Sequence, residues 1–277
     1  MNFAGSLWRG IQDHHVLDGA AVLAFFFLLA VFPAAIFVFS LTPSLSIPHL
    51  HQAMLDLLNQ ALPEQSANFF RGTFRHVEGG KGLLTLEVIL TLWSGSAGVY
   101  ALMEQLSIIR GGREARPFLE ARGIAILLLL FFAALAIGSL SLVIFGGEIQ
   151  SWLASFIGWS QPLRIFFATL RWIILAAALL LALAVAYRFG PNAKTRFRFI
   201  SPGNVTAAIL IALASIGFRF YVSKFGNYSA TYGSLAAIII LMLWMYMVGI
   251  AVLVGCETDM IRQRRNEDYL LDARRIN

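Results

Sequence analysis

Glu87, Arg171 and Arg219 fall inside stretches that are otherwise apolar. A carboxylate and two guanidinium groups in such surroundings have two uses. Paired across a polar cavity they neutralise one another and can receive a polar solute; unpaired, the arginines reach for headgroups and Glu87 marks the end of its helix. At 100° per residue Glu87 heads a stripe of Thr91, Ser94, Gly98, Ala101 and Gln105, with Gly95 at its flank. Small residues at this spacing also let helices approach closely, which accounts for Ser94, Gly95 and Gly98 but not for the carboxylate. Glu87, Thr91, Ser94, Gly98, Arg171 and Arg219 are the candidates for a transport cavity, with Glu87 expected to pair with Arg171 or Arg219. Pro33, in the middle of another apolar run, removes a backbone donor and predicts a kink. That kink is a candidate hinge, or a bend that fits the helix to its neighbours.

A second set of residues suits phosphate. Arg110, Arg113, Arg116, Arg188, Lys194, Arg196 and Arg198 lie in two short segments between apolar runs. Forked guanidinium donors match phosphate oxygens, so these seven are candidates for lipid headgroups; ordinary topology signalling accounts for the same residues and is the simpler reading. Other chemistry finds little material. Ser94, Ser96, Ser139 and Ser141 have no histidine placed to activate them. His49, His51 and His76 fall in one segment, but no third and fourth ligand follow at a metal-site spacing. The single cysteine, Cys256, excludes an intrachain disulfide and a thiolate metal site. No glycine loop for nucleotide phosphates is present. The expectation is no enzyme, no cofactor and no metal.

These residues must be positioned by membrane helices. The chain of 277 residues is 58% hydrophobic and 13% charged, with a mean hydropathy of +0.74, where soluble domains carry about 25% charged residues. The net charge of +6 sits in short loops rather than on a nucleic-acid-binding face, so nucleic acid is not expected. Runs of apolar residues predict six spans, at about 19–41, 83–106, 123–145, 164–186, 203–222 and 233–256, in one multi-pass domain covering 1–277. Residues 1–18 form an amphipathic lead through Phe3, Leu7, Trp8 and Ile11, either an interfacial helix or a disordered tail, and not a secretory signal. Residues 48–78 read as two short amphipathic helices on the outer surface, and 258–277 as a cytoplasmic tail. With both termini inside, fourteen Lys and Arg fall on the cytoplasmic side and four outside. Glu87, Arg171 and Arg219 then share the outer half of the bundle.

The run YRFGPNAKTRFRF, followed by YVSKFGNYSATYGSLAAIIILMLWMYMVGIAVLVGCETDM, resembles the C-terminal half of the YihY/virulence factor BrkB family of bacterial inner-membrane proteins. LLAVFP in the first span and LTLWSGSAGVYALM in the second extend the likeness over nearly the whole chain. Its marks are Tyr187, Arg188, Pro191, Asn192 and Lys194, then Tyr232, Gly233 and Ser234, and finally Gly255 and Glu257. Asp259, where family members often carry Asn, and Cys256, where Ala is usual, depart from it. The resemblance implies an all-α protein of six membrane helices in the inner membrane. The family once carried a ribonuclease name, which the absence of a carboxylate and histidine cluster suited to metal-assisted hydrolysis argues against. Links of some members to envelope phenotypes imply a transporter or a translocator of lipid or another envelope component. The alternative is a scaffold whose small residues serve packing or self-association as a homo-oligomer.

Overall fold

The computed structural model describes the backbone at residues 3–41, 81–112, 114–157, 161–192, 197–224 and 235–276. Side chains are described at 3–30, 88–112, 114–139, 141–143, 166–167, 169–192, 197–221 and 238–265. The segment 48–78, with His49, His51 and His76, lies outside the described residues, as do Arg113, Lys194, Arg196, Tyr232 and Gly233 and the side chains of Pro33 and Glu87.

All regular structure among the described residues is helical: α1 (Phe3–Asp13), α2 (Val16–Leu41), α3 (Lys81–Ile109), α4 (Phe118–Ile157), α5 (Gln161–Phe189), α6 (Pro202–Lys224) and α7 (Leu235–Ile276). Four stretches among the described residues are long and apolar enough to cross a membrane: Phe118–Val143, Thr169–Phe189, Pro202–Tyr221 and Ile238–Arg265. A fifth is reached when Phe3–Asp13 and Val16–Ala30 are counted as one broken span. Two helices run well past the apolar segments that announce them. α4 continues to Ile157 beyond Phe145, and α7 passes through Glu257, Asp259 and Arg262 to Ile276. Hydropathy marks the surrounding medium, whereas a helix ends only where its backbone bonds do. Neither Gly146 and Gly147 nor the charges of α7 interrupt those bonds.

The ends that matter here have local causes. α1 gives way to α2 at His14 and His15; His14 N–H still donates to the Gly10 carbonyl at 3.0 Å, and His15 takes φ +48°. Histidine is among the side chains that tolerate that left-handed region. α3 stops at Gly111, φ +83°, where Gly111 N–H donates to Ile108 and Gly112 N–H to Ser107, both at 3.0 Å. This is a Schellman ending, in which glycine takes the left-handed position without a steric penalty. α6 opens on Ser201, whose hydroxyl accepts the Asn204 N–H at 3.0 Å, and Pro202 follows at the first helical position.

The chain divides into two compact units, and α3, α6 and α7 each contribute to both. One comprises residues 1–14, 103–209 and 252–277, the other 15–102 and 210–251. In the first, Met103, Leu106, Ile109, Ala121, Leu183, Ala207, Leu253 and Cys256 are buried. In the second, Val16, Leu23, Val99 and Leu102 are buried, and small residues bring helices close: Gly249 meets Ala20, and a Cβ added at Gly98 would come within 3.0 Å of the Phe27 ring.

Candidate functional site

The polar side chains of the first unit converge where α5, α6 and α7 meet. Gly203 and Gly255 bring two backbones into direct contact: a Cβ on Gly203 would collide with the Gly255 carbonyl, and one on Gly255 would lie 2.7 Å from the Gly203 carbonyl. That same added Cβ would sit 2.5 Å from the Tyr187 hydroxyl and 2.6 Å from the Ala207 Cβ. Only glycine leaves this much room. Tyr187, itself buried, uses the space to donate its hydroxyl to the Val252 carbonyl at 2.6 Å.

Asp259 closes the crossing from one turn further along α7. Its Oδ1 accepts the Gly203 N–H and its Oδ2 the Ser201 hydroxyl, each at 2.7 Å. A carboxylate at the first turn of a helix satisfies orphan donors and lies at the positive end of the dipole. Asn204 extends the ties, donating Nδ2 to the Arg198 carbonyl at 3.2 Å and the Phe199 carbonyl at 3.1 Å. Glu257, 3% exposed, holds the opposite side. Its Oε2 lies 2.9 Å from His14 Nδ1, its carboxylate fills the place a side chain at Gly10 would need, and Arg265 covers the Phe3 ring at 5.8 Å. α1 is thus a helix bound to α7, not a disordered tail, over Phe3–Asp13.

A cleft of about 600 Å³ lies beside these ties. Ile124, Leu127, Leu128 and Phe131 of α4 form one wall, Val185 and Phe189 of α5 the other, and Pro191 adds an apolar edge. Arg116, Arg188 and Asn192 are its polar lining. Arg116 is held from three sides: Nη2 donates to the Gly190 carbonyl at 3.1 Å, Nε to Asn192 Oδ1 at 3.5 Å, and Nε lies 3.2 Å from Glu114 Oε1. Asn192 N–H in turn donates to the Ser107 hydroxyl at 3.0 Å, and that hydroxyl donates to the Met103 carbonyl at 2.8 Å. Arg188 rests its guanidinium over the Phe189 ring, 5.3 Å from the centroid.

The basic candidates therefore separate. Arg116 and Arg188 line one cleft; Arg110 is turned instead toward the buried Cys256 thiol, and Arg198 is exposed with its carbonyl bound by Asn204. In the cavity set, Ser94 is half-buried and donates its hydroxyl to the Thr91 carbonyl at 3.3 Å, and Gly98 is buried against Phe27. Arg171 is half-buried on α5, with its Nε lacking a hydrogen-bond partner and its guanidinium 5.8 Å from the Trp172 ring. Arg219 is exposed on α6. Sequence reasoning singled out Tyr187, Pro191, Asn192, Gly255 and Glu257 by resemblance, and all five take part in these contacts or line the cleft. It missed Ser107, Ser201, Asn204 and His14. The order Ser201-Pro202-Gly203-Asn204 carries the signal of a capped helix start; nothing in the sequence ties Asp259 to it.

A family model described as virulence factor BrkB matches residues 7–275. A relative named ribonuclease-like protein YfkH, from Bacillus subtilis, is 34% identical over 269 residues, covering 96% of this chain and 97% of that protein. UPF0761 membrane proteins of Paraburkholderia xenovorans and Chromobacterium violaceum are 28% and 30% identical, over 88% and 96% of this chain. The chain spans only 56% and 65% of the length of those two relatives. No solved structure matches.

Proposed function

Because the chain belongs to the virulence factor BrkB family and its relatives are membrane proteins, we propose that it is a transporter or translocator of a lipid or other envelope component in the bacterial inner membrane. The observation that carries this reading is the cleft between α4 and α5, apolar along both walls with Arg116 and Arg188 in its polar lining. Such a surface suits an amphiphile: it offers a fixed charge for a headgroup and a dry wall for a chain. The reading involves no catalytic step and no cofactor, and among the described residues no three His, Cys, Asp or Glu are grouped to hold a metal ion. The partner it implies is an anionic membrane lipid on the cytoplasmic side rather than nucleic acid.

Six spans with both termini cytoplasmic belong to the same proposal. Beyond the four apolar stretches and the broken first one, α3 has 29 residues, about 43 Å of helix at ~1.5 Å per residue. A polar cavity in the outer half is its second component. Arg171, with a buried Nε that finds no hydrogen-bond partner in a largely apolar helix, supports it.

The test is movement of headgroup-labelled lipid across vesicles holding the purified chain. Movement is expected for the native protein, with at least a tenfold fall for Glu87→Gln at unchanged folding. A folded protein that moves no labelled lipid would defeat the reading. A scaffold is then favoured, and it already has support from α3: Gly98 is filled by Phe27, and the Ser94 and Ser96 hydroxyls are spent on carbonyls of their own helix, the latter at 2.9 Å from Trp93.

A further inference from the structure

We propose that α1 is an interfacial anchor: it lies along the membrane surface where α7 emerges, with Trp8 sunk into the headgroup layer of the lipid. The proposal goes beyond the transport reading and needs only that α7 crosses the membrane. Its basis is the order in which α1 presents its sides. At about 100° per residue, Phe3, Leu7, Gly10 and, one residue past the helix end, His14 fall in one sector. That sector is seated on α7. Gly10 is buried against the Glu257 carboxylate, His14 Nδ1 lies 2.9 Å from Glu257 Oε2, and the Phe3 ring lies under the Arg265 guanidinium. Beside it, on one side only, come Ile11, Ala4 and Trp8, and Trp8 is 63% exposed. The remaining arc, through Gln12, Gly5, Arg9 and Asp13, is small or polar and exposed. A helix packed on a protein in water needs two sectors, one for the protein and one polar. A helix in an interface needs a third, apolar and exposed, between the other two, and α1 has it.

Position along α7 sets the depth. From Leu235 to Cys256 α7 carries no charge, about 33 Å of helix at ~1.5 Å per residue, against a hydrocarbon core ~30 Å thick. Glu257 is the first charged residue after that stretch, so a helix held at Glu257 is held where hydrocarbon gives way to headgroups. Tryptophan suits that level, because its ring is apolar and its indole N–H seeks a polar partner. The occupant of the exposed sector is therefore the lipid surface itself. Ile11 and Trp8 carry the apolar side outward from the α7 contact, and the polar arc turns away from it. Recognition is through apolar area at a fixed depth, and it selects no particular headgroup.

The test uses the full chain in vesicles of phosphatidylcholine and phosphatidylglycerol, with a nitroxide attached through Trp8→Cys or, on the polar arc, Arg9→Cys. The native cysteine, Cys256, is buried, and Cys256→Ala removes it from both chains. Positions 8 and 9 are exposed, so neither substitution takes away a packed side chain. Electron paramagnetic resonance reads collisions with oxygen, which enters lipid, and with a water-soluble nickel chelate. The oxygen-to-nickel ratio is expected to be at least about fivefold higher at position 8 than at position 9, as for a helix face sunk ~5–10 Å into the headgroup boundary. Ala4→Cys keeps Trp8 and lies in the same sector, so its label should read as position 8 does. Equal ratios at positions 8 and 9, with nickel reaching both, would overturn the proposal, because α1 would then stand in water. A label at position 4 that reads like position 9 would overturn it as well. So would a label at position 8 shielded from both reagents, since a second copy or another protein would then cover Trp8.

Discussion

Ties between helices through polar side chains are described in one compact unit, and close contacts through glycine in the other. In the unit built on residues 103–209 and 252–277, side chains reach between helices: Tyr187 to Val252, Asp259 to Ser201 and Gly203, Asn192 to Ser107, Glu257 to His14. In the unit built on 15–102 and 210–251, the Ser94 and Ser96 hydroxyls of α3 turn back on their own helix, and close contact is made by Gly98 and Gly249. The difference teaches where each unit can tolerate change. A tie between helices fails when either partner is lost, whereas a hydroxyl bonded within its own turn is nearly neutral to folding.

The largest effect should come from the same methyl group added in each unit. At Gly255 it meets a backbone carbonyl, the Tyr187 hydroxyl and Ala207 at once, so α6 and α7 must separate. Gly255→Ala is expected to cost about 3 kcal/mol, the upper range for overpacking. At Gly98 it meets one ring edge at 3.0 Å, which can move a few tenths of an ångström; Gly98→Ala should lie within about 1 kcal/mol of the parent, helped by alanine's better helix propensity. Unfolding of the two variants in mixed micelles by graded denaturant checks the contrast, and equal midpoints would erase it.

Asp259 breaks the comparison on its polar side. Asp259→Ala strands the Gly203 N–H and the Ser201 hydroxyl and removes the charge at the start of α6, a loss of about 2 kcal/mol from unmade bonds. Asp259→Asn, the residue common in the resembling family, keeps one acceptor and should cost about half as much, with Ser201 rotating to accept rather than donate. The measurement is hydrogen exchange of the Gly203 and Asn204 amides. Exchange that stays slow in the alanine variant would show that the crossing holds without the carboxylate.

These effects were only partly legible in the sequence. Apolar runs locate helices because hydrocarbon admits no unpaired backbone, and the fifth run, expected from about residue 203, begins within one residue of the start of α6 at Pro202. They could not give the length of α4 or α7, since hydropathy falls silent where a helix leaves its apolar stretch. The arginines were legible as a group and not as a cleft. Which guanidinium turns inward, as Arg110 does toward Cys256, depends on neighbours far away in the chain. Asp259 read as the end of a span, although its chemistry is set by a backbone N–H 56 residues away.

The smallest effect separates two serines on one helix. Ser107 is buried and bridges two elements, donating to Met103 and accepting the Asn192 N–H. Ser107→Ala leaves that N–H to find another partner beside a cleft whose rim it shapes, and should cost about 1 kcal/mol. Ser94 donates only to Thr91 three residues earlier, so Ser94→Ala should shift stability by less than about 0.5 kcal/mol. Its value lies in the second measurement. If lipid movement in vesicles also ignores Ser94→Ala while Glu87→Gln abolishes it, the small face of α3 is packing and the carboxylate alone carries function there. If Ser94→Ala slows movement with stability unchanged, the hydroxyl leaves its own helix during transport, and the stripe is a path after all.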